Sequence, residues 1–108
     1  MFQNFLLTYS VKAQSVISSD QEKAAKVRND IAELTCWTKL EEVETTFSGR
    51  AYITGTNDSE KKSSAKAEIE EQFLPILKKH DAYSYDVKIY CAMMLEYLDK
   101  PFEFIIKN

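Results

Sequence analysis

The hydrophobic residues of this chain repeat with two different periods, and the order of those periods constrains the fold most strongly. Apolar residues recur at every second position in some segments, which is typical of strands. In other segments they recur at every third or fourth position, which is typical of helices. Along the 108 residues the order is strand, helix, strand, strand, helix, strand. This order predicts a single α+β domain, residues 1–108, with both helices on one face of an antiparallel sheet.

The first strand and the first helix are the best-marked elements of the N-terminal half. Residues 5–11 alternate between apolar and polar side chains, except that Leu6 is apolar on the second face. Apolar residues on both faces favour a central strand that is buried on both sides. Ser19 and Glu22 have the spacing of a capping box, so the helix is predicted over about residues 20–35.

The middle of the chain has the composition of a β-hairpin. Residues 37–47 are strand-like but interrupted, and residues 50–54 form a second strand-like segment. Ser48-Gly49 between them is a turn signal, because glycine readily adopts the positive φ angles that tight hairpin turns require. The sequence therefore predicts the hairpin turn at Ser48-Gly49.

The C-terminal half contains one helix and two strands by the same criteria. The apolar residues within 65–77 have helical spacing, and Pro75 is expected to kink or divide that helix. Residues 83–91 alternate cleanly and predict the next strand, and residues 92–98 suggest a short helical turn after it. Residues 102–106 predict a further strand at the C-terminus.

The complete layout resembles a ferredoxin-like β-α-β-β-α-β sandwich with an additional C-terminal strand. We expect the four main strands to lie in the order 4-1-3-2, with both helices packed on the same face. The residues expected in the core between helices and sheet are Val27, Ile31, Leu34, Ile69, Phe73 and Leu77.

Composition argues against several classes of protein. The net charge of -3 is too mild for a DNA mimic and has the wrong sign for a generally basic nucleic-acid-binding protein. No apolar segment reaches the roughly 20 residues that span a bilayer, and residues 1–7 lack the features of a signal peptide. We therefore expect a cytoplasmic protein without a membrane partner. Cys36 and Cys91 are expected to be buried, reduced thiols, although the sequence leaves a disulfide open.

The side chains that could carry catalysis do not form a recognisable motif. His80 is the only histidine, and beside Asp81 it suits either a general base or a favourable position at a helix C-terminus. Four aspartates are metal ligands by type, but their spacing matches neither calcium nor zinc sites: Asp20, Asp58, Asp81 and Asp86. We expect no catalytic residue, no metal site and no small-molecule cofactor.

Aromatic and basic residues share several of the predicted strands. An open sheet face with this composition can stack bases and bind phosphates, whereas strand aromatics are also commonly core residues or cross-strand pairs. No segment matches the RNA-recognition signature. The candidate nucleic-acid-binding residues are Lys39, Arg50, Tyr52 and Lys88.

The C-terminal strand suggests an interface between copies of the chain. Phe102, Phe104 and Ile106 would expose an apolar face if this segment were free. A short strand obtains its backbone partners by pairing with a sheet edge, either in its own chain or in a partner. We expect a homodimer with these three residues at the interface, and the sequence leaves pairing in cis or in trans open.

Three segments resemble the Cas2-like and GhoS-like small ferredoxin-like proteins. They are Phe5-Leu6-Leu7-Thr8-Tyr9, Trp37 with Thr45-Thr46-Phe47, and the tail after the fourth strand. The resemblance implies a dimer with a role in a nucleic-acid-linked bacterial or phage system. That group typically has an aspartate just after the aromatic that ends the first strand, where this chain has Ser10, so no catalytic residue and no binding of magnesium or manganese is expected.

These observations leave two functions open. The first is a small dimeric binding or regulatory module, without its own catalytic centre, whose partner is a nucleic acid or another protein. The alternative is a small Cas2-like or GhoS-like endoribonuclease that uses scattered polar groups. The lack of a convergent set of acid, base and metal ligands favours the first.

Overall fold

The computed structural model describes residues 1–108 and contains two helices on a five-stranded sheet. In chain order the elements are β1 (Phe2–Ala13), α1 (Ser18–Ala32), β2 (Thr38–Lys39), β3 (Thr46–Tyr52), α2 (Asp58–Lys79), β4 (Val87–Leu95) and β5 (Phe102–Ile106). The strands are antiparallel and lie in the order β2-β3-β1-β4-β5. The predicted α+β class is confirmed, and the order 4-1-3-2 is the one observed for the first four strands. This arrangement is compatible with a ferredoxin-like fold.

β1 lies at the centre of the sheet, between β3 and β4. Its side chains alternate strictly: every odd position from Gln3 to Val11 is buried, and every even position is exposed. Leu6 is 41% exposed, so the prediction that β1 is buried on both faces was wrong. One face of the strand packs on the helices, and the other has no layer above it.

Both helices contribute to one core with the odd-numbered residues of β1. Fully buried side chains project from α1 and α2 at helical spacing: Ala24, Val27, Ile31, Ala65, Ile69, Phe73 and Leu77. Leu34 is an exception to the predicted core, since it lies beyond the end of α1 and is only partly buried. Burial of each large aliphatic or aromatic side chain contributes about 1.5–3 kcal/mol before entropy is counted.

The capping box predicted for α1 is not formed. The helix begins at Ser18, so Ser19 lies inside it, and the N-cap position is Ile17 without a side-chain bond. The Ser15 hydroxyl instead accepts a hydrogen bond from the Ile17 N–H and donates one to Asp20. A serine just upstream therefore organises the start of the helix.

The predicted position of the hairpin turn, at Ser48-Gly49, was also wrong. Ser48 and Gly49 lie inside β3, β2 has only two residues, and residues 40–45 form the connection. Gly49 pairs with Phe5 of β1 and lies beneath the Trp37 ring. The glycine is needed for this close packing and not for a turn.

Two further boundaries differ from the predicted ones. α2 continues through Pro75 and is not divided there, because buried side chains on both sides of the proline compensate for one lost backbone bond. Residues 92–95 of the predicted helical turn belong to β4, because β4 pairs with β1 over its full length. β4 begins at Val87, and residues 83–86 form the turn before it.

Candidate binding face on the open side of the sheet

The face of the sheet opposite the helices carries an unusual number of apolar side chains. It is formed by the even-numbered residues of β1 and their cross-strand partners, and is called the open face below. Six large apolar side chains on it are between 37% and 58% exposed: Phe2, Leu6, Tyr52, Tyr90, Met94 and Ile105. A sheet face with this much exposed apolar surface is typical of a binding site.

One end of the open face carries the Arg50 cluster, formed by Phe2, Arg50 and Tyr52. Phe2 and Tyr52 are direct partners across β1 and β3, and their rings meet edge to face with centroids 5.3 Å apart. The Arg50 guanidinium lies 5.3 Å from the centroid of the Phe2 ring. Such a cation–π contact contributes about 0.5–1 kcal/mol at an exposed site. It holds the guanidinium above the sheet without a carboxylate.

The other end carries the Lys12 cluster, formed by Lys12, Lys88 and Tyr90. The Lys12 ammonium lies 5.7 Å from the centroid of the Tyr90 ring. Lys12 and Lys88 are directly opposite each other in β1 and β4. Like charges in such a cross-strand pair repel and destabilise the sheet. A bound anion would remove that repulsion.

A shallow depression of about 690 Å³ lies beside the Lys12 cluster. Small open-face side chains contribute to its lining, namely Thr8, Ser10 and Ala92. Tyr90, Glu103 and Ile105 line it as well. Tyr9, Cys91 and Phe104, which have the register of the helix-covered face, and Lys66 of α2 also line the depression, so it is not confined to the open face.

The cations of the open face have no acidic partners. The chain has 17 acidic and 14 basic residues, yet Lys12, Arg50 and Lys88 take part in none of its three ion pairs. Glu103 is the one carboxylate among the open-face strand residues, and Glu96, just past β4, accepts hydrogen bonds from Asn4. Unpaired cations in an acidic chain indicate a surface suited to an anionic ligand.

The structure brings together only some of the predicted nucleic-acid-binding residues. Arg50 and Tyr52 share the Arg50 cluster, and Lys88 lies at the opposite end of the same face. Lys39 is opposite Phe47, so it has the register of the helix-covered face and does not join them. Phe2 and Lys12 were missed, because their partners on the open face follow from the strand register.

The three tail residues predicted at a dimer interface pack within their own chain. β5 pairs with β4 of the same chain, so pairing in cis is the arrangement observed. Ile106 is completely buried, while Phe102 and Phe104 are partly buried against the core. All three have the register of the helix-covered face. The outer edge of β5 has no strand partner in the chain.

His80 contacts a carboxylate of α1 and not that of its neighbour Asp81. Its Nε2 atom lies 2.7 Å from Asp30 of α1, and the Lys79 ammonium lies 3.0 Å from the same oxygen. Hydrogen bonds from Lys79 and then His80 hold the pKa of Asp30 below its ordinary value. These contacts join the end of α2 to α1, and no hydroxyl or thiol is among the hydrogen-bond partners of the three residues.

Two of the four aspartates considered as metal ligands, Asp20 and Asp86, are held by other contacts. Asp86 is paired with Lys23 at 3.1 Å and also accepts a hydrogen bond from the Tyr83 N–H. Burial raises the pKa of Asp86, but these bonds, above all the one from Lys23, outweigh it and lower that pKa. No group of three or more His, Cys, Asp or Glu side chains has an arrangement that could hold a metal ion.

The two cysteines are free thiols, so the disulfide left open by the sequence is not formed. Cys91 is buried as expected, and burial raises its pKa to about 12. Cys36 is exposed, which the sequence did not predict, because it lies in the connection between α1 and β2. Partial desolvation raises the pKa of the Cys36 thiol too. Neither thiol is in a state that favours nucleophilic attack near neutral pH.

The helices of the structure do not include one with the length and apolar character needed to cross a membrane. Comparisons with protein-family models, with curated proteins and with solved structures find no match to this chain.

Proposed function

We propose that this protein is a binding or regulatory module without a catalytic centre, and that it binds nucleic acid on the open face of its sheet. The observation that carries the proposal is the Lys12–Lys88 pair, two unpaired cations directly opposite each other beside the exposed Tyr90 ring. Phosphates neutralise such cations and release counterions, which favours binding. Exposed aromatic rings on the same face stack on bases.

The polar clusters elsewhere support a binding role more than an enzymatic one. The Asp30–His80–Lys79 contacts and the Lys23–Asp86 pair join elements of the scaffold. Neither cluster contributes a residue to the lining of the depression beside the Lys12 cluster. Catalysis by a small ribonuclease requires an acid and a base within reach of one phosphate. The endoribonuclease alternative therefore has no structural observation in its favour.

The fold family and the oligomeric state of the protein are part of the same proposal. Strand order and the position of both helices support a ferredoxin-like fold, and the likeness to Cas2-like and GhoS-like proteins stays a prediction. We also propose that two copies associate through the outer edges of their β5 strands. Unpaired backbone groups at a sheet edge favour such pairing, and a symmetric dimer closes both edges at once.

Binding and cleavage can be separated in one experiment. The purified protein is titrated against labelled single-stranded RNA, with and without divalent metal, and the RNA is then examined for cleavage. We expect intact RNA and an affinity that falls steeply with salt. The Lys12→Gln/Lys88→Gln double variant should lose most of the affinity, whereas Lys26→Gln on the exposed side of α1 should lose little. Metal-dependent cleavage would favour the ribonuclease, and absence of binding at low salt would exclude the proposal.

A further inference from the structure

We infer that the open face holds one single strand of nucleic acid lengthwise along β1, with bases stacked at both the Arg50 cluster and the Lys12 cluster. This inference rests on the proposed function and adds the form and length of the ligand. Its basis is the position of two aromatic–cation pairs at opposite ends of one face.

The distance between the clusters follows from strand geometry. The first cluster lies around positions 2–4 of β1 and the second around positions 10–12. Eight residues of antiparallel strand span about 27 Å. A stacked nucleic-acid strand covers that distance with about eight nucleotides, at roughly 3.4 Å each, and a more extended strand needs fewer.

Each cluster offers the two groups that a nucleotide requires. Tyr52 is 51% exposed and Tyr90 is 37% exposed, so each end has an aromatic surface that a base can reach. The Lys12 ammonium lies over the Tyr90 ring, and the Arg50 guanidinium lies over the Phe2 ring, which itself meets Tyr52 edge to face. Both cations can bind phosphates next to a stacked base. Each cluster can thus stack one base and neutralise one phosphate. The two clusters therefore offer the same kind of contact to the two ends of a single ligand.

The surface between the clusters suits a single strand. Leu6 and Met94 are direct partners near its centre, and the small residues Thr8 and Ser10 lie between them and the Lys12 cluster. These side chains form an apolar and hydroxyl-bearing surface without charge, over which sugars and bases can lie. A duplex presents phosphates but keeps its bases stacked on each other, so it could use the cations and not the rings.

Length dependence tests the inference directly. Fluorescence anisotropy is measured with labelled oligothymidylates of about 4, 8, 12 and 16 nucleotides, which covers the usual range of single-strand sites. Affinity should rise by more than tenfold between the 4-mer and the 12-mer, because only the longer strand reaches both clusters. Beyond 12 nucleotides the affinity should rise only with the number of positions along the longer oligonucleotide at which it can occupy the same site.

Variants at the two tyrosines distinguish one long site from two separate ones. Tyr52→Thr and Tyr90→Thr should each lower the affinity for the 12-mer by about tenfold, since each removes one stacked base. Each should lower the affinity for the 4-mer by no more than about twofold, because the other cluster remains available and the 4-mer needs only one. The double variant should abolish binding of both oligonucleotides. Tyr97→Asn, an exposed position outside the strands, is the matched control.

The possible failures are distinct. If all lengths bind equally, if only one tyrosine matters for the 12-mer, or if a duplex binds as tightly, the inference is wrong and the proposed function stands. If no oligonucleotide binds at low salt, the proposed function itself is wrong, and the open face would instead suit a protein partner. Should Tyr90→Thr fail to fold by circular dichroism, Lys12→Gln tests the same cluster with the same expected loss for the 12-mer.

Discussion

A Cβ atom on Gly49 would lie 2.8 Å from the Cζ atom of Phe5, its cross-strand partner in β1. The same Cβ would lie 2.8 Å from Cδ1 of Trp37. The Trp37 ring in turn meets the rings of Phe5, Phe47 and Phe73 edge to face. The empty space above this glycine is thus filled by an aromatic cluster that connects the sheet to α2.

Gly49→Ala should therefore destabilise the protein. Added volume in a closely packed core typically costs about 1–3 kcal/mol, because rings or backbone must move. Urea unfolding followed by circular dichroism measures this change. Ser48→Ala, one residue earlier on the open face, is the matched control and should stay within about 0.5 kcal/mol of the parent. Equal stability of the two variants would mean that the rings move aside freely.

Gly49 also shows what the sequence could and could not predict. The hydrophobic periods predicted the number, type and order of the main elements, since they depend on burial along each segment. A glycine between two apolar segments indicates a turn by local rules, but here its role depends on Phe5 and Trp37, which are distant in the chain. Local sequence carries no information on such contacts.

The candidate site was only partly predictable for the same reason. Arg50, Tyr52 and Lys88 were identified by residue type, which requires no knowledge of register. The Lys12–Lys88 pair and the Phe2–Tyr52 contact follow only from the pairing of β1 with β4 and β3. Lys39 was grouped with them because its residue type is right, although its register is that of the other face.

The Asp30 contacts predict a pH-dependent contribution to stability. Hydrogen bonds from Lys79 and His80 lower the pKa of Asp30 in the folded state below its ordinary value of 3.8. A group with a lowered folded pKa stabilises the protein above its unfolded pKa, and this contribution is lost as the pH falls through the folded pKa. Asp30→Asn should thus be less stable than the parent above about pH 5, and the difference should vanish in stronger acid.

Urea unfolding at a series of pH values measures that difference for Asp30→Asn. Glu33→Gln, an exposed carboxylate on the next turn without a hydrogen-bonded partner, is the control and should show no comparable pH dependence. A constant difference for Asp30→Asn down to the lowest pH would show that the carboxylate's charge is not what stabilises the contact.

The two neighbouring isoleucines of β5 should respond very differently to truncation. Ile106 is completely buried among core residues of its own chain, whereas Ile105 is 40% exposed on the open face. Ile106→Ala should cost about 2–5 kcal/mol through the lost burial and the cavity left behind. Ile105→Ala should cost less than about 1 kcal/mol. Similar costs at both positions, measured by thermal or urea unfolding, would contradict pairing of β5 in cis.

The free edge of β5 predicts a homodimer in solution. Light scattering at tens of micromolar should give twice the chain mass, and deletion of residues 101–108 should weaken association and lower stability together. Glu103→Lys replaces the only charged residue of the edge strand by a cation and should weaken dimerisation, because lysine at an edge opposes strand pairing. Glu41→Lys in the exposed β2–β3 connection makes the same charge change and should leave the mass unchanged. A monomer for the full-length chain would exclude the edge pairing.

Ser10 provides a test that connects the missing acidic residue to the proposed ligand. It lies on the open face opposite Tyr90, and its same-face neighbours along β1 are Thr8 and Lys12. Magnesium is usually bound by carboxylates, and none of these neighbours supplies one. We expect isothermal titration to detect no micromolar site for magnesium or manganese in the parent chain, and none in Ser10→Asp.

The new carboxylate of Ser10→Asp would lie near the Lys12 ammonium and compete with phosphates for it. Ser10→Asp should therefore lower the affinity for single-stranded RNA by about tenfold at low salt. Ser10→Asn, similar in shape and uncharged, should bind like the parent. A magnesium site in Ser10→Asp would instead show that the end of β1 retains a metal-binding geometry, and unchanged RNA affinity in that variant would place the ligand away from the Lys12 cluster.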